Sequence, residues 1–380
     1  MSTDQDSYDI IIAGGGLAGL SLAWYLREGE YEGRILIIDK SLAPRNNKTW
    51  CFWSQDDPPF PDIIHKTWST CTTNVHQNEL EHRLDPYSYY CIRSGDFTSF
   101  IKRELNWWGH VDFKEEEIQS IESGKVHTRL RIYESDAIFQ SALPPQGLNP
   151  KKIKYPLIQH FVGWDVVSKK ANFDPDVVTF MDFDDAWDDG VGFMYVLPWS
   201  NREALLEYTI FSRNPKKVEL YEYKIRQYLR IKYSIDSFDF GINRREAGKI
   251  PMEDRPYLPW YAPGVMNLGI SAGLSKPSTG YTFMRVQKHA KALAESILDE
   301  TDLVLPTKSP LRFRTYDKML LHIIDNSSET SLEVFNDLFQ NNPIQRIFAF
   351  LDEETGIGED LNIMNSVPPN PFIKAFFAQF

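Results

Sequence analysis

"YDIIIAGGGLAGLSLAWYLRE", Tyr8 to Glu28, reads as a buried strand from Asp9 to Ala13, a glycine turn, and a helix that continues through Ser21 to Arg27. Gly14, Gly16 and Gly19 fill a G-x-G-x-x-G pattern. In that pattern the first glycine permits a sharp turn, the second lets backbone N–H groups approach a pyrophosphate, and the third lets helix and strand pack closely. The pyrophosphate would lie at the positive end of the helix. Ile10 to Leu26 is also an uncharged run of 17 residues, somewhat short for a membrane span and interrupted by glycines, so strand, turn and helix explain it better.

Moving outward, "RILIIDK" reads as a second strand ending in Asp39, 20 positions after Gly19. A carboxylate there suits a ribose diol and repels a 2′-phosphate, which favours FAD or NAD over NADP. Much further along, "NLGISAGLSKPSTGYTFMRVQKHAKALAESIL" reads as a strand, a loop carrying Gly269, Gly273, Pro277 and Gly280, and a helix from about Tyr281 to Leu298. A second glycine-rich loop ahead of a helix is what the ribityl–isoalloxazine half of a flavin needs, so Gly273, Pro277 and Gly280 join Gly14, Gly16, Gly19 and Asp39 as cofactor-binding candidates. The same pattern also fits a plain β–loop–α crossover. Flavin hydroxylases usually carry a Gly-Asp pair here, whereas "LGISAG" has no acid.

The whole chain has 380 residues, more than one hydrophobic core usually spans. Its net charge of −12 argues against nucleic acid as a partner, and any membrane contact would have to be apolar or locally basic. Aromatic residues reach 14%, which suits a large apolar or flat ligand as well as a core. Cys51, Cys71 and Cys91 form no C-x-x-C pair, and His65, His76, His82 and His110 show no ligand spacing, so neither a disulfide framework nor a metal is expected. The acidic start lacks the basic region of a signal peptide, which points to the cytoplasm.

"FMYVLPWSNREALLEYTIFS", Phe193 to Ser212, reads as two strands joined by a tight turn at Trp199 to Asn201. Alternation puts Glu207 on one face with Leu205, Thr209 and Phe211. A carboxylate in such surroundings must be paired or protonated. A partner such as Arg202 or Arg213, or an edge open to solvent, would explain it; so would a site that needs a neutral acid.

The Gly14–Gly19 loop, "NKTWCFW" (Asn47 to Trp53), "YYCIRSGDF" (Tyr89 to Phe97), "QHFVGWDV" with "FDPDVVTFMDF" (Gln159 to Phe183), the Glu207 strand, "AGLSKPSTGY", "FLDEETGIGEDLNIM" and "VPPNPF" form a set covering nearly the whole chain. By these motifs the chain resembles the flavin-dependent lycopene cyclases of bacteria, the β-cyclases of carotenoid synthesis. The resemblance implies FAD in its reduced form, NAD(P)H as electron donor, a linear carotenoid such as lycopene as substrate, and cyclisation of its open ends to β-rings with no net redox change. It makes Glu207 the catalytic proton donor, and Trp50, Phe52, Trp53, Trp164 and Trp199, which lie in the matching motifs, candidates to face a substrate cation. Packing in the core is the alternative role for each of these rings.

Two positions depart from the family pattern: Tyr208 stands where a second Glu is usual, and Asp184 stands where Arg is frequent. Two other readings therefore stay open, a FAD-dependent monooxygenase or isoprenoid reductase on the same nucleotide fold, and a non-catalytic carotenoid-binding flavoprotein.

The expected architecture is α/β: a Rossmann-like FAD-binding domain (1–53, 90–155 and 245–300) interleaved with a strand-rich substrate domain (54–89 and 156–244), followed by a helical C-terminal region (301–380). Ser141 to Pro156 is expected as a surface connector and Asp182 to Gly190 as a solvated acidic turn. Phe350 to Asp360 reads as an acidic loop with a structural role. Phe372, Ile373, Phe376, Phe377 and Phe380 fall on one helical stripe, which suits either a docked helix or peripheral contact with a membrane surface.

Overall fold

A computed structural model describes residues 7–144, 152–187 and 190–379, without the side chains of 184–187. Most of the acidic start, the middle of the expected connector, the side chain of Asp184 and Phe380 lie outside what is described.

A six-stranded sheet runs in the order Trp260–Ala262, Val265–Asn267, Ala137–Gln140, Ile10–Ala13, Ile35–Asp39, Val111–Glu115. All its pairings are parallel except that of the Trp260–Ala262 edge. Both faces are buried, which explains the unbroken apolar runs. Ile10, Ile12, Ile35 and Ile37 pack with the helices Leu17–Glu28, Ser94–Trp108 and Phe283–Leu298. Ile11, Leu36 and Ile38 face a small antiparallel sheet of Ile118–Glu122, Lys125–Thr128 and Ile132–Glu134. The uncharged run thus becomes a strand and a helix, and among the described residues no helix is long and apolar enough to cross a membrane.

A seven-stranded sheet runs Phe240–Met252, Leu157–Ser168, Glu203–Ser212, Gly190–Pro198, Val177–Trp187, Thr70–Val75, Asn78–Arg83. Its only parallel step among the described residues is between Val177–Trp187 and Thr70–Val75. One face is covered by the helix Val218–Tyr233, against Val162, Trp164, Leu206 and Tyr208. The opposite face meets the C-terminal helices Leu311–Asn326, Ser328–Asn341 and Ile344–Leu351 and a three-stranded sheet of Thr49–Ser54, Ser88–Arg93 and Lys66–Trp68.

Two expectations need correction. The boundary placed between 244 and 245 falls inside the Phe240–Met252 strand, which pairs along its whole length with Leu157–Ser168, so that strand belongs entirely to the large sheet. Asp182 is no solvated turn residue. It sits in the Val177–Trp187 strand, buried, and accepts hydrogen bonds from Asn74 Nδ2 (2.8 Å) and Tyr228 Oη (2.7 Å).

Candidate functional site

A cavity of about 410 Å³ opens where the two large sheets meet. Gly16, Leu17 and Ala18 line it from the nucleotide lobe, and Gly269 to Ser271 flank them. Across from these lie Phe161, Leu205, Glu207, Thr209 and Phe211 from the large sheet. The alternation read from sequence is therefore the one adopted: Leu205, Glu207, Thr209 and Phe211 share the cavity face.

The glycine loop has the shape of an anion cradle. A Cβ on Gly19 would lie 2.0 Å from the Gly14 carbonyl oxygen, so only glycine allows this approach of helix to strand. A Cβ on Gly16 would meet nothing within 4 Å, which leaves open space in front of the helix. Gly16 is also the N-cap of Leu17–Glu28, and no side chain caps that end. The first-turn N–H groups thus remain available to an anion. Asp39 closes the neighbouring strand and accepts from Gly15 N (2.8 Å) and Ser41 N (3.0 Å), which leaves one lone pair on each oxygen for a ligand hydroxyl. Gly280 lines the cavity, where the buried Oε1 of Gln159 has no protein partner. These groups fit the pyrophosphate and ribose of a dinucleotide. Gly273 and Pro277 do not line the cavity; Gly273 adopts a positive φ of 78° against Tyr257 and shapes the loop instead.

Glu207 is only 8% exposed, and its carboxyl is held well above the usual carboxylate range. Burial is the main cause and the neighbouring Glu246 the second, while a hydrogen bond from Thr209 Oγ1 to Glu207 Oε1 (3.0 Å) opposes them. Neither Arg202 nor Arg213 pairs with it; Arg213 is bound to Asp325. Glu207 is a buried acid whose protonated form is favoured, and it faces the cavity.

Glu246 was not legible as a site residue. It lies in "NRREAGK", which reads as a charged, solvent-facing segment. The register reveals its place: Gly163 is the direct neighbour of Glu207 on one side and of Glu246 on the other. A Cβ on Gly163 would stand 3.1 Å from Glu246 Cγ and 3.5 Å from Glu207 Cβ, so the missing side chain is what lets the two acids meet. Arg244 Nη1 donates to Glu246 Oε2 at 2.5 Å, and Thr49 Oγ1 donates to the same oxygen at 2.8 Å. Arg244 Nε also pairs with Asp165 Oδ2 at 3.1 Å. The i, i+2 spacing of Arg244 and Glu246 was the one available signal that this strand carries a paired acid.

The aromatic candidates divide. Trp50 lines the main cavity. Phe52 and Trp53 line a second cavity of about 270 Å³, which shares Cys51, Tyr281, Thr282 and Phe283 with the first. Trp53 is fixed there by stacking on Phe348 (4.3 Å) and by donating from Nε1 to Asp352. Trp164 is corrected: alternation puts it opposite Gly163, on the far face, under the guanidinium of Arg226. Trp199 also misses both cavities and donates to Asp165 Oδ1 (2.6 Å) with Arg93 over its ring. Tyr208 shares the far face with Trp164, so the replaced second acid of the motif would not have reached the cavity in this strand. Phe161, Phe180, Phe193, Tyr195 and Phe283 are among the cavity-lining rings that the sequence did not single out.

Residues 9–376 match the family model described as lycopene cyclase protein. A lycopene beta-cyclase of Pseudescherichia vulneris is 27% identical over 302 residues, which cover 76% of this chain and 74% of that one. Among solved structures, a flavoprotein/dehydrogenase from Cytophaga hutchinsonii superposes with a TM-score of 0.64 at 12% identity, covering 98% of this chain and all of the other. A geranylgeranyl bacteriochlorophyll reductase-like protein from Thermoplasma acidophilum gives a TM-score of 0.62 at 14% identity, covering 97% and 98%. At such identities these likenesses carry the fold alone.

Proposed function

This chain belongs to the lycopene cyclase protein family, and we propose that it is a FAD-dependent lycopene β-cyclase, an acid/base catalyst that closes the open ends of a linear carotenoid. The single observation that carries this reading is the buried Glu207, its acid form favoured, in the same cavity as the Gly16 loop. The proton on Glu207 passes to a terminal alkene of lycopene, whose π electrons form the new C–H bond. The resulting cation is attacked by the next double bond, which closes the ring. A proton then leaves the carbon beside the cation, its electron pair completes the ring double bond, and Glu207 takes the proton back. Donation and removal balance, so the products (γ-carotene, then β-carotene) carry no net redox change.

The walls support this sequence. Apolar surroundings keep water away from the cation and keep the acid loaded. Trp50, Phe161 and Phe193 offer π faces, each worth about 2 kcal/mol beside a desolvated cation. Gly14, Gly16, Gly19, Asp39 and Gly280 hold FAD in this reading. When bound and reduced, FAD supplies negative charge beside the cation, with NAD(P)H as the electron donor that keeps it reduced. The decisive experiment is anaerobic conversion of lycopene by the purified protein with chemically reduced FAD and no NAD(P)H. Ring closure under those conditions supports the cyclase. A requirement for one NAD(P)H per product would instead place the protein among the reductases or monooxygenases that share its fold.

Access to a substrate dissolved in lipid calls for a membrane-facing surface. In the helix Pro369–Phe377, Phe372 and Ala375 turn inward, while Ile373, Phe376 and Phe377 are exposed (52%, 41% and 70%). These three side chains form the proposed peripheral contact. Replacing Phe376 and Phe377 with serine is expected to weaken binding to phospholipid vesicles severalfold; undiminished sedimentation with the vesicles would remove this role.

A further inference from the structure

The carboxyl that faces the cavity does not act alone. We propose that Glu246 is the positioning residue for the acid: set across Gly163 from Glu207 and anchored by Arg244 and Thr49, it keeps a single proton on Glu207 between turnovers. The inference rests on the cyclase reading for its purpose and on the geometry of the two acids for its placement.

The geometry leaves little freedom. Glu246 is 5% exposed, does not line the cavity, and already accepts from a guanidinium and a hydroxyl through Oε2. It is therefore bound as an ion pair and cannot reach the alkene. Glu207 lines the cavity and can. The two acids flank Gly163 from opposite sides, with no Cβ between them, so of the two carboxyls the proton is placed on the one that can deliver it. Two like charges side by side in a dry site cannot both persist, which favours one shared proton. The same repulsion makes the Glu207 carboxylate that forms on delivery a stronger base, suited to recovering a proton from the ring.

The other charged and titratable groups around the pair are Arg244 beside Glu246, Asp165 on Leu157–Ser168, Arg93 and Tyr89 on Ser88–Arg93, Tyr195 on Gly190–Pro198, Cys51 on Thr49–Ser54, and Tyr281, Lys48 and Lys249 on the cavity wall. Arg244 and Arg93 are engaged with Asp165, and Tyr89 and Tyr195 hydrogen-bond each other at 2.7 Å.

The test follows the carbonyl stretch of the protonated carboxylic acid by infrared difference spectroscopy against pH, on the full-length protein with oxidised FAD and no substrate. The band belongs to Glu207 if Glu207→Gln removes it. In Glu246→Gln the band is expected to disappear at a pH lower by at least about one unit, a tenfold weaker hold on the proton. Glu246→Asp, which keeps the charge, should fall between that variant and the parent, and the alkaline limb of the cyclisation rate should move in the same direction. Gly163→Ala provides an independent wedge: its Cβ separates the carboxyls without changing any charge and should give a smaller shift of the same sign. An unshifted band in folded Glu246→Gln overturns the assignment; if that variant does not fold, an unshifted band in Gly163→Ala does so. Because this readout needs no turnover, a failed cyclisation assay would refute the function and leave the proton placement standing, and an unshifted band would do the reverse.

Discussion

Glu207 and Glu353 are both glutamates with side chains largely shielded from solvent, and their surroundings move them in opposite directions. Glu207 has another carboxylate beside it and no cation paired to it among the described residues, and its acid form is favoured. Glu353 also suffers from burial, yet Lys276 (2.9 Å) and Arg285 (3.2 Å) outweigh it and hold the carboxyl below its usual range. Burial creates the need; the partner decides whether the need is met by losing charge or by pairing it. The first solution yields a group that can give up a proton. The second yields a rivet: Lys276 also binds Asp317 (3.0 Å), and so ties the loop after Val265–Asn267 to the C-terminal helices. The acidic stretch from Phe350 to Asp360 is thus part of the core wiring, with Asp360 fully buried against Arg312 and Thr355.

The contrast is broken most severely at Glu207. Glu207→Gln keeps the shape and removes the proton, and cyclisation is expected to fall by about a thousandfold or more, with the flavin absorbance of the purified protein retained. Near-normal turnover in that variant would show that the acid lies elsewhere. Lys276→Met attacks the other cluster. Removing one partner of a buried pair leaves uncompensated charge, here on Asp317, and is expected to lower the unfolding free energy by about 3–5 kcal/mol in urea titration. A loss under about 1 kcal/mol would mean that the cluster is not a rivet.

The smallest effect sharpens the comparison at a third acid. Asp352 is raised to about 6, chiefly by burial, with the hydrogen bond from Trp53 opposing. A group raised on folding adds stability below its unfolded value and loses it as pH climbs through the folded one. Asp352→Asn stays neutral, so it should match the parent near pH 4 and exceed it at pH 8 by about 1–2 kcal/mol after allowance for partial exposure. Thermal melts across that range test the sign, and a variant less stable than the parent at pH 8 would reverse it.

Local rules carried a large part of this reading. Gly14, Gly16 and Gly19 were legible because a turn and a close helix–strand approach make demands on single residues. Glu207 was legible because alternation along one strand needs no knowledge of its neighbours. Trp164 was misread because both faces of its sheet are buried, so apolar pattern could not say which face holds the cavity. Gly163, the next residue, faces the site, and one step along a strand reverses the face.

From the order of residues alone came the glycine loop between strand and helix, the α/β plan and an acid on an apolar strand in need of an explanation. Each follows from a few consecutive residues and the two periods of backbone geometry. The carboxyl pair came only with the fold. Glu207 and Glu246 sit on strands that never touch each other, and the Leu157–Ser168 strand, earlier in the chain than both, runs between them. No local period encodes which strand lies beside which, and so the meeting of the two acids was decided by strand order and by one absent side chain.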